Sequence, residues 1–411
     1  MRDGQKIKPL TTSPNLAALM ALEGWRATYN EMPHRTELFK NGLISPRDDD
    51  PNTALTLLGD AAVRNGLNRE NVPELVDALA RQAPYHPVRD WITAVPWDGV
   101  DRRALFAATL ELEDPETATL AHRLLHKWML QGVGALMEPE GVTAAGMLVI
   151  AGTQHVGKTW WVRHLVPLPG AVAEGVTIDP SDKDSILRAT GAFVTEVGEL
   201  DGTMRKADIA QFKGFLTNNI DEVRLPYARR ASFFKRRTVF VGTVNGSGFL
   251  VDETGNRRFW VIAVVRCLTL APEVMQQVWA QYLHLYQRGE RWNLEPDLLT
   301  AINAANRQHE TVDPLTERIA AKFNWESVDL STLTSENRTS HPGLLWMTAT
   351  RICEAVGIPN PKKSEATRTA HIVKSQWAAQ GHLLRNPGEV ALLDRRANGL
   401  RLLAVPKKMA Y

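Results

Sequence analysis

The chain reads as an α/β protein built on a parallel sheet, and two observations carry that reading. The run MLVIA, Met147 to Ala151, is continuously apolar and ends at Gly152, as a strand buried on both faces does. Similar runs follow at 192–197 (AFVTEV), 238–244 (TVFVGTV) and 259–264 (FWVIAV), with helical stretches between several of them. Strands alternating with helices indicate a parallel sheet joined by helical crossovers.

With 411 residues the chain is longer than one hydrophobic core usually organises, so two or three domains are expected. Residues 1–53 mix proline, threonine and charge around one short helix from Asn15 to Tyr29, are expected to be partly disordered, and suggest no function. Residues 54–140 carry apolar positions at three and four spacing and predict a small helical domain. Within it YHPVRDWITAVPWDGVDR holds Trp91 and Trp97, expected to anchor a loop into the core. The sheet and its helical extension occupy 141–324, a polar linker 325–343, and a compact terminal unit 344–411. In that last unit two helical patterns separated by a turn precede EVALLDRRANGLRLLAVP, which suggests a two-stranded wing and hence a winged helix.

Apolar residues at 44% and charged residues at 23% are those of an ordinary soluble globular chain, and no segment supplies the roughly 18 consecutive apolar residues of a membrane span. The first residues lack the apolar core of a secretory signal, and the two cysteines, Cys267 and Cys353, stand far apart, so a reducing cytoplasm is the expected location. His122 and His126, four apart on a helix, lack the glutamate of a zinc-protease motif and read as ordinary helix residues; no zinc site is expected.

Directly after the first strand comes GTQHVGKT, comprising Gly152, Thr153, Gln154, His155, Val156, Gly157, Lys158 and Thr159. It matches G-x-x-x-x-G-K-[ST]. The glycines let backbone N–H groups curl round a phosphate chain, Lys158 reaches the β- and γ-phosphates, and Thr159 holds Mg²⁺ through its hydroxyl. The following WWVRHLV is expected to set a helix behind the anion. Together these predict a site for ATP and Mg²⁺. Hydrolysis also needs an acidic residue near the end of a neighbouring strand. Glu196 falls there, with Glu199 three residues on; we take Glu196 as the metal or water-positioning carboxylate and Glu199 as its partner, and which polarises the water is left open. Asn245, ending the strand TVFVGTV, suits a contact to the γ-phosphate or the attacking water. Arg257 and Arg258 follow a Thr-Gly-Asn turn and open the next strand, a placement suited to an arginine finger acting on a neighbouring subunit.

Formal net charge is only +2, but basicity is concentrated. Arg224, Arg229, Arg230, Lys235, Arg236 and Arg237 lie within Val223–Arg237 with no acid among them, and from Thr350 to the end there are eleven Lys or Arg against four Asp or Glu. The first run brackets a turn-like ASFF and suggests a hairpin that grips nucleic-acid phosphates, with Phe233 and Phe234 either stacking on bases or buried. In the terminal unit a helix starting near Ser364 carries Arg368, His371 and Lys374 toward one side, where they would read a major groove or grip phosphates. Winged helices also serve as protein-interaction modules, so that assignment has a rival.

The succession YHPVRDWITAVPWDGVDR, GTQHVGKT, TEVGELD, QFKGFLTNNIDEVRLPYARR, VFVGTVN and DETGNRRFW resembles the virulence-associated protein E family, phage and mobile-element ATPases similar to superfamily 3 helicases of the AAA+ class. The resemblance implies Walker A at Gly152 to Thr159, Walker B at Glu196 with Glu199, a sensor at Asn245 and a finger at Arg257 or Arg258. It also implies that Lys213 to Tyr227, including Lys213 and Arg224, leads into a DNA-contacting hairpin. The sequence departs from the usual two-acid Walker B by placing Val197 and Gly198 between its glutamates. The activity implied is ATP-dependent unwinding or translocation of DNA in phage or mobile-element replication. It would be performed by a homo-oligomeric ring, a hexamer favoured, on single-stranded DNA in a central channel within a bacterial host, with a primase or other replication proteins as partners. A loader or remodeller of another protein, and a nucleotide-switched DNA-binding regulator, are the alternatives.

Overall fold

A computed structural model describes residues 9–41, 43–44, 51–198, 206–223, 231–246, 249–250, 256–309, 314–328, 339–379, 394–397 and 399–407. The chain divides into two compact units, Met1–Glu310 and Thr311–Tyr411.

The first unit opens with α1 (Ser13–Leu22), β1 (Trp25–Asn30), β2 (Arg35–Lys40), β3 (Leu43–Ile44), α2 (Pro51–Arg64), α3 (Val72–Ala80) and β4 (Pro84–Tyr85). The strands form one sheet in the order β3-β2-β1-β4. The helix expected to run to Tyr29 stops at Leu22, because Gly24 turns the chain with φ of +73° and the aromatic and β-branched residues beyond it pair with β2. Residues from both sides of position 53 share a core: Leu16, Trp25, Tyr29 and Leu38 pack with Leu58, Ala62 and Val76. An α/β subdomain therefore crosses the expected boundary at 53 and takes in the first half of the expected helical domain, while residues 1–8 and 45–50 lie outside the described residues.

Next come α4 (Pro87–Ala94), α5 (Arg103–Ala107), β5 (Leu110–Leu112), α6 (Ala118–Met137), β6 (Met147–Ala151), α7 (Lys158–His164), β7 (Val172–Val176), α8 (Lys183–Thr190), β8 (Val194–Val197), α9 (Lys206–Leu216), β9 (Ile220–Val223), β10 (Ser232–Lys235), β11 (Val239–Val244), β12 (Phe259–Cys267), α10 (Pro272–Gln287) and α11 (Pro296–Asn306). The main sheet runs β5-β12-β6-β11-β8-β7. From β12 to β7 all neighbours are parallel, and β5 closes one edge antiparallel to β12. Strand alternation divides β6 between two cores: Leu148 and Ile150 meet α6, α7 and α10, while Met147, Val149 and Ala151 meet α8 and α9. Helices cover both faces, so the strand must be apolar throughout. β5 and β7 are not among the expected strands, since LEL and VAEGV lack a sustained apolar run.

Tryptophans tie helices to sheet. Trp128 of α6 donates to Phe240 O (3.0 Å) and Trp279 of α10 to Leu165 O (2.8 Å), with ring centroids 6.2 Å apart. Trp91 packs on this core, and Trp97 donates to Val100 O (2.9 Å) and lies 4.9 Å from the ring of His284, as a loop anchor does.

The second unit contains α12 (Pro314–Lys322), β13 (Leu344–Met347), α13 (Ala349–Ala355), α14 (Lys363–Ala379), β14 (Asp394–Ala397) and β15 (Leu400–Pro406), with sheet order β13-β15-β14. Its core joins Ile319, Phe323 and Trp325 to Ile352, Trp377 and Val405, so α12 and Trp325 belong here and the expected boundary at 324 moves back to 310. Among the described residues no helix is long and apolar enough to cross a membrane.

Trp279 is fully buried against Trp128 and Phe193. Trp279→Ala is expected to destabilise the first unit by about 3–5 kcal/mol, read as a lowered urea midpoint.

Candidate functional site

The carboxyl end of β6 delivers Gly152 into a loop that rejoins the fold at α7. A Cβ on Gly152 would stand 2.4 Å from Val264 O, so the backbone of β12 leaves room for glycine alone. Gly157 turns the loop with φ of +93° and His155 with φ of +70°. The neighbouring strand clasps the loop from behind, Cys267 N donating to Val156 O at 2.8 Å. Lys158 is buried, its ammonium donating to Gly152 O (2.7 Å), Thr153 O (2.8 Å) and Asn245 Oδ1 (3.0 Å).

Glu196 lies on β8, two strands from β6, and is 2% exposed. Its Oε1 accepts from Thr159 Oγ1 (2.7 Å) and from Thr243 Oγ1 (2.8 Å). Thr243 is a site residue that the sequence reading misses, although a polar side chain two before Asn245 on an apolar strand is the available signal. Two hydroxyls and a carboxylate are hard oxygen donors of the kind Mg²⁺ takes. Glu199 lies outside the described residues. The structure thus brings Lys158, Thr159, Glu196 and Asn245 together at the carboxyl edge of the sheet. Burial pushes the Cys267 thiol up to about 11, unlike an activated nucleophile.

Arg257 and Arg258 lie elsewhere. They sit on a 3₁₀ turn, Asn256–Arg258, immediately before β12, where Phe259 pairs with Met147 and Ala263 with Ala151. They therefore stand at the amino edge of the parallel sheet, a strand length of roughly 13 Å from the loop at its carboxyl edge. The turn is fixed by Asn306, which donates to Asn256 O (2.8 Å) and Phe259 O (3.0 Å), and by Lys213, which donates to Asn256 Oδ1 (3.2 Å). Lys213 is buried beneath this turn, which corrects its expected place among DNA contacts.

The basic run divides. Arg224, Arg229 and Arg230 lie outside the described residues. SFFK is strand rather than turn, β10 pairing antiparallel with β9. Arg236 is 1% exposed and buried in an ion pair, its Nε donating to Asp221 Oδ2 at 2.6 Å and its guanidinium 4.3 Å from the Phe215 ring centroid; it is corrected from DNA contact to core. Arg237 donates to Ala135 O (3.0 Å) and Glu138 O, satisfying carbonyls at the end of α6, a second correction. Lys235 pairs with Glu140 at 2.9 Å on the surface. Phe233 is 67% exposed, whereas Phe234 is buried and stacked on His34, centroids 4.2 Å apart. His126 pairs with Glu290 at 2.9 Å.

In the second unit Ser364, Thr367, Arg368, His371 and Ser375 form one exposed stripe of α14. Lys374 leans onto Asp394 (3.3 Å), which also holds Arg401.

The model of the virulence-associated protein E-like domain matches residues 92–311, more than half the chain. The chain belongs to the virulence-associated protein E family. Its P-loop, Glu196, Asn245 and Arg257 all fall within the matched virulence-associated protein E domain, while the amino-terminal subdomain and the second unit lie outside it. No curated protein matches the chain. Among solved structures, the A form apo structure of the NrS-1 C terminal region is 12% identical, with 95% of this chain and 98% of that one covered at a TM-score of 0.47. Another apo structure of that region is 12% identical, with 98% and 99% covered at 0.43. These likenesses are too loose to carry an argument about function.

Arg236→Ala leaves Asp221 buried and unpaired. It is expected to destabilise the protein by about 3–5 kcal/mol in denaturant titration.

Proposed function

We propose that this protein is an ATP-dependent motor that translocates on or unwinds DNA during replication of a phage or mobile element, assembled as a ring of its own copies. The observation that carries the reading is the convergence of Lys158, Thr159, Glu196 and Asn245 where β6, β8 and β11 end. Lys158 would exchange its carbonyl and amide partners for β- and γ-phosphate oxygens. Thr159 and Glu196 would hold Mg²⁺, which when bound offsets the charge of the phosphates. Asn245 would orient the γ-phosphate or the attacking water. Strand order β12-β6-β11-β8-β7, with the phosphate loop after the strand second from one end of this parallel set, supports the AAA+ assignment.

Arg257 and Arg258 act on the chemistry only across a subunit boundary in this reading, because the sheet separates them from their own phosphate loop. Their turn is held by Asn306 and Lys213, so an arginine presented from it arrives pre-positioned. DNA would meet the hairpin of β9 and β10 through Phe233 and the basic residues Arg229 and Arg230. The succession α12, β13, α13, α14, β14, β15, with β13 paired to β15, supports a winged helix that presents Arg368 to nucleic acid.

Lys158→Ala is expected to abolish phosphate release in a protein that still melts cooperatively, and Glu196→Gln to retain ATP without cleaving it. Normal turnover in a folded Lys158→Ala protein would remove the ATPase reading. A Lys158→Ala protein mixed with an Arg257→Ala, Arg258→Ala protein is expected to regain part of the activity each lacks alone, since some interfaces in a mixed ring join an intact cradle to an intact arginine. Co-assembly without recovery counts against the finger. Phe233→Ala is expected to weaken single-stranded DNA binding by about 1–3 kcal/mol irrespective of sequence, measured by fluorescence anisotropy.

A further inference from the structure

Most tryptophans among the described residues are buried or half-buried, but Trp160 is 54% exposed, next to Thr159 in the first turn of α7, while its neighbour Trp161 is 2% exposed. Trp161 is absorbed by the fold, donating to Thr109 Oγ1 at 2.8 Å. Trp160 is held open to solvent by its own helix. His164, one turn on, lies with its ring centroid 4.2 Å from that of Trp160, and the His164 Nδ1 is 2.7 Å from Trp160 O. Arg163 lies 5.8 Å from the indole centroid and is itself fixed by Glu174 of β7, Nε to Oε1 at 2.6 Å. An exposed indole braced by its neighbours, with little rotamer freedom left to lose, is a preformed stacking surface.

Its place relative to the cradle identifies the ligand. Thr159 directs its hydroxyl to Glu196, which marks the side of the terminal phosphate and the metal. One residue later a helix has turned by roughly 100°. Trp160, the residue after Thr159, therefore flanks the same cradle at the start of α7, beside the loop that the sugar and base of a nucleotide held by Lys158 would leave.

We infer that Trp160, braced by Arg163 and His164, is the stacking platform for the nucleobase of the bound nucleoside triphosphate. The inference rests on the nucleotide-site reading above. Stacking accepts any base with a π face, so the platform supplies affinity for a nucleotide over a bare polyphosphate without selecting adenine from guanine.

The test compares ATP and inorganic tripolyphosphate as ligands of the full chain by calorimetry, in the wild type, Trp160→Ala, Trp160→Phe and Lys158→Ala proteins, with light scattering on each. Trp160→Ala is expected to weaken ATP by roughly tenfold, within the range of a base–aromatic stack, to leave tripolyphosphate unchanged, and to be largely rescued by Trp160→Phe. Lys158→Ala should weaken both ligands. Equal loss of both ligands in Trp160→Ala overturns the platform and makes the indole a support of the loop. Unchanged ATP affinity also overturns it, as does an effect that appears only with loss of assembly, which would assign Trp160 to a contact between copies. In each of these cases Lys158→Ala still reports the nucleotide site; only a wild type that binds neither ligand removes that reading as well.

Discussion

Because β6 has parallel neighbours on both edges and helices on both faces, its carboxyl end has one place to emerge, and the groups that converge there do so by register. Val241 of β11 lies opposite Leu148 on one side and Glu196 on the other, so Glu196 stands level with the second residue of β6, and Thr159 at the start of α7 reaches back to it. Thr243 on β11 and Asn245 just past its end belong to the strand that lies between β6 and β8. Helical packing would not deliver three separate strands to one edge with this economy. The buried carboxylate is tolerated because two hydroxyls donate to it, and one belongs to the loop itself. Loop, carboxylate and sheet are consequently a single hydrogen-bonded body, and disturbing one strand of it displaces the others.

The same register explains the separation of the two arginines from the cradle. In a parallel sheet every strand enters on one side and leaves on the other, so residues preceding β12 and residues following β6 are divided by the sheet's width. Asn256, Asn306 and Lys213 form a buried polar knot under the entry side.

Much of this was legible from residues alone. A continuous apolar run is unambiguous when both faces are buried, so β6, β8, β11 and β12 could be located by inspection, and the GTQHVGKT motif marked the loop at the end of β6 as the candidate site. Glu196 was legible as a strand-end acid, but its link to Thr159 is tertiary. Edge strands were not legible: LEL and VAEGV hold too little apolar surface to announce themselves. The amino-terminal subdomain was hidden by its own economy, since WRATYN and RTELFK are short and neither alternates cleanly enough to stand out beside the helix that precedes them. The basic run misled for a physical reason. Charge counted along a chain does not distinguish an arginine that faces water from Arg236, whose charge is neutralised by Asp221 fifteen residues earlier, or from Arg237, whose donors close the end of a helix. Burial is settled by which strand face a residue occupies, and the hairpin's register depends on a pairing of β9 with β10 that neither segment declares by itself.

Phe233 and Phe234 are consecutive on β10, so the pleat sends one ring outward and the next ring inward onto His34 in the turn between β1 and β2. That turn is anchored in its own right, Met32 lying in the main core and Glu31 pairing with Arg89 at 2.9 Å. The hairpin therefore rests on a pair of flat faces that belong to different subdomains, and the amino-terminal subdomain supports it from beneath through His34.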